Sequence, residues 1–361
     1  MPTTTGMKGG GFYDAHSAPQ RVALETALVA LVAALADLPK EIPNSTYWGL
    51  LDIGSSEGAN AIAAMGQLAQ TLRRVSDLPI WIWFNDLPTN DFNQLFGNLF
   101  AEGKPIFSAA NLFPGVIGGS GFGRLVPPST LHLATTFNAI GFLEQKPSAA
   151  LPNYVLPMGP GPLAPRVGVT VTEEEQEPFR QQAEQDLHQF YHARAAELVP
   201  GGKLLVQVFG RNEQYSTSFG IYDVLNDAVL DFVEMGKLPR QVFEDLIFPI
   251  YFRTLEELTA PIEQDSQLSQ AFRIDTATSQ EISVPFNEAL TTTSDVVLWA
   301  EHYTGFLRAF TEAILAAALP PELDRASMLD QIYQRIEERL IADCDRYEFH
   351  YISIFALLTR L

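Results

Sequence analysis

Apolar positions recur at helical spacing through residues 19–38, PQRVALETALVALVAALADL, with no glycine inside, and predict a long helix that stops at Pro39. The pattern then shortens. An apolar run at 48–53 stops around Asp52, Gly54 and Gly58 follow, and an Ala- and Ile-rich stretch covers about 59–75, which reads as strand, tight turn and helix. LPIWIWFNDLP (78–88) is apolar through both faces up to Asn85-Asp86, as a buried parallel strand should be. Residues 90–100 predict a short helix with Asp91 near its start, and the Gly- and Pro-rich 110–130 stretch predicts a loop. LHLATTF (131–137) is a third strand, and 147–171, with GPGPLAP, is a loop or boundary. Thr172 and Glu175 form a capping box before an acidic run suited to the positive end of a helix dipole, so a helix should reach about 198. A turn and strand follow at 200–211. Residues 215–340 read as mostly helical, interrupted by a strand at 272–282, and 349–360 supplies a last strand.

Strands alternating with helices over the first 210 residues predict an α/β fold with a mainly parallel sheet. In such folds the ligand sits beyond the carboxyl ends of the strands, here Asp52–Gly58 and Asn85-Asp86.

Composition narrows the ligand. The 361 residues include 43 Asp and Glu against 23 Lys and Arg, a net charge of −20, with no basic cluster beyond pairs such as Arg73-Arg74. Nucleic acid and anionic membrane are poor partners for that field. Cys344 is the single cysteine, so neither an internal disulfide nor a cysteine-based zinc site can form; it reads as a small buried apolar residue. No apolar run reaches membrane-spanning length and MPTTTGMKGG lacks the regions of a signal peptide, so a soluble cytoplasmic protein is expected.

Gly54 and Gly58 allow a sharp turn and close approach of a ligand, and Asp86 can accept hydrogen bonds from ribose hydroxyls. DIGSSEG is not the dinucleotide fingerprint G-x-G-x-x-G, and Asp52 and Glu57 around the turn disfavour a pyrophosphate. A nucleoside carrying positive charge fits better, and S-adenosylmethionine is one.

Several blocks in order then resemble the SABATH methyltransferases, which move a methyl group from S-adenosylmethionine to carboxylates of small acids or, in the caffeine branch, to ring nitrogens. They are MKGG (7–10), QR (20–21), DIGSSEGAN (52–60), FNDLPTNDFNQLF (84–96), GSGFGRLVPPSTLH (119–132) and RAAELVPGGKLLVQVFGR (194–211). The resemblance implies a class I, Rossmann-like methyltransferase sheet with a mostly helical cap over the acceptor pocket. The core would comprise 1–150, 195–212, 270–285 and 345–361, and the cap 151–194, 215–268 and 286–340. By position, Tyr13, Ser17, Asp52, Gly54, Asn60, Asp86, Leu87, Ser120 and Gly121 would surround S-adenosylmethionine, leaving S-adenosylhomocysteine as product. Gln20 would position the acceptor's carboxylate, with Asn138, Phe142, Tyr222 and Tyr251 around the acceptor. The expected reaction is an in-line displacement without a general base, in a homodimer. The alternatives are a nitrogen, carbon or hydroxyl acceptor, or binding without turnover.

The departures from the family strike the acceptor side. Phe142 stands where an indole N–H would hold the carboxylate, Asn138 where a tyrosine is usual, and Gly121 where an aromatic is usual. Asp245 has no following Asn, so no required metal is expected. His188 and His192, with Glu184 a turn earlier, lack the H-E-x-x-H order and read as a solvated face. His132 reads as structural, and His16 replaces a family asparagine near the cofactor. Phe248, Tyr251 and Phe252 are candidates for either pocket wall or core.

Overall fold

The computed structural model describes residues 6–100, 111–147 and 150–361; Ala110 and 148–149 of the expected loops, and residues 1–5 of the N-terminal stretch, lie outside the described residues. The chain runs α1 (Phe12–His16), α2 (Ala18–Ala34), α3 (Leu38–Glu41), β1 (Trp48–Ile53), α4 (Ala59–Arg73), β2 (Ile80–Asp86), α5 (Phe92–Phe100), β3 (Leu112–Gly118) and β4 (Leu131–Phe137). It continues through α6 (Glu173–Glu197), β5 (Leu198–Phe209), α7 (Ile221–Glu234), α8 (Arg240–Asp245), α9 (Leu255–Gln264), α10 (Leu268–Ala271) and β6 (Phe272–Ile282). It ends with α11 (Pro285–Thr293), α12 (Val296–Ala318), α13 (Arg325–Ala342) and β7 (Tyr351–Arg360).

The seven strands form one sheet in the order β3-β2-β1-β4-β5-β7-β6. The first five strands pair in parallel, and β7 lies antiparallel between β5 and β6. From β1 the chain goes to β2 on one flank and later to β4 on the other, so the connections diverge there and open a crevice at the carboxyl ends. All six residues of β1 are buried because both faces are covered. Leu50, Ile82, Phe84 and Leu133 pack against α2 and α4 on one face. Leu51, Ile53, Ala134 and Val206 pack on the other against Leu187, Phe190 and Tyr191 of α6 and Leu258 and Ile262 of α9. These two helices belong to segments assigned above to the cap, yet their apolar stripes lie on the sheet. The cap proper is a separate cluster built from α7, α11, α12 and α13 with Tyr154–Leu156, centred on Tyr222, Tyr303 and Tyr333.

Two local expectations need correction. Residues 110–130 are not all loop, because β3 runs through Pro114 and Gly115. β3 is the sheet's edge, where a residue without an N–H is tolerated, and Gly115 leaves room for the Trp83 ring, which an added Cβ would meet at 2.1 Å. The first long helix ends at Ala34 rather than before Pro39, which instead sits in the first turn of α3. The capping box forms as expected: the Thr172 hydroxyl accepts from the Glu175 N–H, and the Glu175 carboxylate accepts from the Thr172 N–H. Among the described residues no helix is long and apolar enough to cross a membrane.

Candidate functional site

A cavity opens at the carboxyl ends of β1, β2 and β4 and runs beneath the cap, enclosing about 1290 Å³ with its mouth included. That is room for a nucleoside-sized ligand and a second small molecule. Its two ends differ in chemistry.

At the sheet end, β1 delivers the turn Gly54–Gly58. Gly54 has φ +82°, and a Cβ there would stand 2.2 Å from that of Ala139; Gly58 has φ +103°, and a Cβ would stand 2.4 Å from Leu95. The turn is held by the Asn85 carbonyl, which accepts from the Gly54 and Ser55 N–H groups at 2.9 Å each. Asp86, ending β2, lines the cavity and accepts from the N–H groups of Ser56 and Leu87, both at 2.7 Å. Burial pushes its carboxyl up to about 6, against the pull of those two donors. The Ser56 hydroxyl at the same wall is buried without a hydrogen-bond partner among the described residues. An acceptor on the cavity wall, an unsatisfied hydroxyl and backbone that a Cβ would fill suit a ribose and its base. Tyr13, Gly54, Leu87, Ser120 and Gly121 also line this end. Ser120 donates to Glu144 at 2.8 Å, and a Cβ on Gly121 would meet Ile53 at 2.4 Å.

Three residues expected at the cofactor lie behind the wall instead. Asp52 is buried beneath the turn, with one oxygen accepting from Ser55 (2.7 Å) and the other from Thr135 (2.8 Å), and burial lifts its carboxyl to about 6. Ser17 accepts from the Asn60 amide at 3.0 Å, and Asn60 accepts in turn from Arg21 at 3.0 Å; the pair clamps the start of α2 to α4. Neither lines the cavity. Glu57 also faces away, accepting from the Gly11 N–H at 2.5 Å and the Asp14 N–H at 3.2 Å, which ties α1 to the turn.

The far end is lined by Gln20, Asn138, Phe142 and Tyr222 and by Phe209, Ile250, Phe252, Phe306 and Phe310, among others. Gln20 is buried, and its side-chain oxygen has no partner among the described residues. Tyr251 is a correction: it packs with Leu143, Leu151 and Phe179, and its hydroxyl donates to Glu257 at 3.0 Å, away from the cavity. Phe248 also packs in the core against Tyr222, whereas Phe252 reaches the wall. The walls from α12 and β7, including Phe306 and Tyr351, had no signal in local sequence because only tertiary packing brings them over the strand ends.

The histidines divide. His132 accepts from the Gly49 N–H at 3.0 Å, and burial pushes its pKa down to about 4, so it is a neutral structural group. His16 stacks on Phe12, bonds its carbonyl and does not line the cavity. His188 and His192 are partly exposed to solvent, and both stand beside Asp265, at 3.8 and 3.3 Å. Glu184 is not part of that group. Cys344 is only half-buried, because it sits in a surface turn after α13.

The chain can now be set beside known proteins. The profile of the SAM-dependent carboxyl methyltransferase family matches residues 3–361. Gibberellic acid methyltransferase 2 of Arabidopsis thaliana is 27% identical over 95% of this chain and 89% of its own length. A 3,7-dimethylxanthine N-methyltransferase of Camellia sinensis is 25% identical over 86% of this chain and 83% of its own. The solved structure of loganic acid methyltransferase with SAH has a TM-score of 0.78 over 98% of both chains at 21% identity, a likeness of fold.

Proposed function

Because the chain belongs to the SAM-dependent carboxyl methyltransferase family, we propose that it forms the methyl ester of a small, mostly apolar carboxylic acid. It is an S-adenosylmethionine-dependent methyltransferase. The observation that carries the choice of acceptor is the second end of the cavity, walled by aromatic and aliphatic side chains and supplied with few polar groups.

When bound, S-adenosylmethionine supplies a methyl group on a sulfonium, a good leaving group. The chain's own residues then bind and orient. Asp86 accepts from the ribose hydroxyls, and Gly54 and Gly121 let the backbone come close where a Cβ would collide with Ala139 or Ile53. Asp52, Ser17 and Asn60 act one layer out, fixing the turn and helices that carry the wall. Gln20 donates its amide to the acceptor's carboxylate. No residue has to remove a proton, because a carboxylic acid with a pKa near ~4 is already ionised at neutral pH. Rate comes from holding its oxygen in line and within about 3 Å of the methyl carbon. Phe142, Phe209 and Phe252 exclude water from that space. The same reading includes a homodimer in the cytoplasm, which light scattering and cell fractionation test.

The deciding experiment offers labelled S-adenosylmethionine with benzoic, indole-3-acetic, geranic, lauric, succinic and gibberellic acids. Base-labile label in the organic extract is the expected result. Label stable to base, on theobromine or a phenol, would move the reading to a nitrogen or hydroxyl acceptor; silence throughout, with cofactor binding intact, would favour binding without turnover.

A further inference from the structure

We propose that the Asn138 carboxamide is the second group that grips the acceptor's carboxylate, beside Gln20, so that this pocket selects an anion through two side-chain amides. The inference rests on the ester-forming reading above. A carboxylate drawn into an apolar pocket must find donors there, or its desolvation opposes binding. Two hydroxyls at this end are already engaged. The Thr217 hydroxyl donates to backbone carbonyls and accepts from the Ile352 N–H, and the Tyr351 hydroxyl donates to Asn138.

Asn138 is different. Its side-chain oxygen accepts three hydrogen bonds, from the Phe209 N–H (2.9 Å), the Tyr351 hydroxyl (3.0 Å) and the Gln207 amide (3.3 Å). The Phe209 N–H can only donate, so the amide cannot be turned over, and its NH₂ is fixed on the opposite side. That NH₂ has no partner among the described residues, while Asn138 lines the cavity. The residue adopts φ +65°, a left-handed conformation that asparagine tolerates better than most residues. It immediately precedes Ala139, whose Cβ abuts Gly54. The donor therefore stands at the seam between the cofactor turn and the acceptor space, where the reacting carboxylate must come. Tyr222 also brings a hydroxyl that bonds no group among the described residues, but from α7 in the cap.

The test compares two ligands of one shape: the acid that wild-type protein esterifies fastest in the labelled-methyl panel, and its primary amide. Each is titrated calorimetrically into S-adenosylhomocysteine-saturated wild type and Asn138→Asp. The substitution preserves an accepting oxygen for the three donors and replaces only the free NH₂ with oxygen. The acid should weaken at least about tenfold and the amide should tighten, so that the amide-to-acid preference rises about 100-fold. Equal weakening of both ligands, with S-adenosylhomocysteine affinity and melting temperature retained, would show a purely structural residue and overturn the proposal. Should Asn138→Asp not fold, Asn138→Gly keeps the left-handed backbone without the amide; it should lose about tenfold on the acid, and unchanged acid affinity overturns the proposal. If wild type esterifies no acid, the ester-forming reading falls and takes this inference with it. A positive panel with an unchanged preference sinks only the role of Asn138.

Discussion

The two ends of the cavity are built by opposite means. The sheet end is built chiefly from short contiguous segments at strand ends, with Asp86 placed by β2 and Gly54 by the turn after β1. The acceptor end is assembled from α2, the segment after β4, β5, α7, the stretch before α9, α12 and β7, and it is mostly aromatic. A site made of local backbone geometry tolerates little change. A site made of apolar side chains from many elements can be reshaped one residue at a time. The relatives of this chain include proteins named for gibberellic acid and for 3,7-dimethylxanthine.

The largest effect should come from filling the turn. Gly54→Val forces a side chain onto φ +82° and into Ala139, and S-adenosylhomocysteine binding should vanish in calorimetry. Binding at wild-type strength would mean that the turn does not shape the cofactor's place. Asp86→Asn removes the charge and sets an NH₂ against the Ser56 or the Leu87 N–H, which the two carboxylate oxygens now accept, so the dissociation constant should rise about 100-fold. Gln20→Leu should act at the other end alone: KM for the acid up about 30-fold, with S-adenosylhomocysteine affinity changed less than about twofold. Parallel loss of both would erase the division between the two ends.

Acidity should strike the sheet end only. Asp86 and Asp52 have carboxyl pKa values raised from 3.8 to about 6 by burial. Between those values the folded protein holds more protons than the unfolded one, so its ligand-free stability falls as pH rises through the window. A ribose held at Asp86, as proposed, would favour its ionised form, so cofactor affinity should rise about tenfold per unit up to about pH 6 and level off above it. A flat profile from pH 5 to 7 would remove Asp86 from the contact. The smallest effect belongs to Tyr251→Phe. Its hydroxyl serves Glu257, so KM for the acid should move less than about twofold while stability falls by about 1 kcal/mol. A large change in KM would return Tyr251 to the pocket.

The same contrast explains what could be seen in the sequence. Six of the seven strands and the long helices of the first 200 residues announce themselves by period, the turn and Asp86 by residue type, while α7, α12 and α13 are legible only as a mostly helical stretch. β3 was hidden because an edge strand can carry Pro114 and Gly115, residues that punctuate loops elsewhere. Motif position also marks a residue without saying which way it faces. Asp52, Ser17 and Asn60 sit in the blocks that build the wall, but their side chains brace it from behind. Phe306 and Tyr351 carry no mark at all, since an aromatic on a helix or strand looks the same whether it faces core or cavity.

The most direct test of a two-ended cavity is a crystal structure with S-adenosylhomocysteine and the best acid of the panel. The ribose hydroxyls should lie within hydrogen-bond distance of Asp86 and the acid's carboxylate against Gln20, its apolar body among Phe142, Phe209 and Phe252. An adenosine lodged among the aromatics, or an acid whose carboxylate points away from Gln20, would contradict the division.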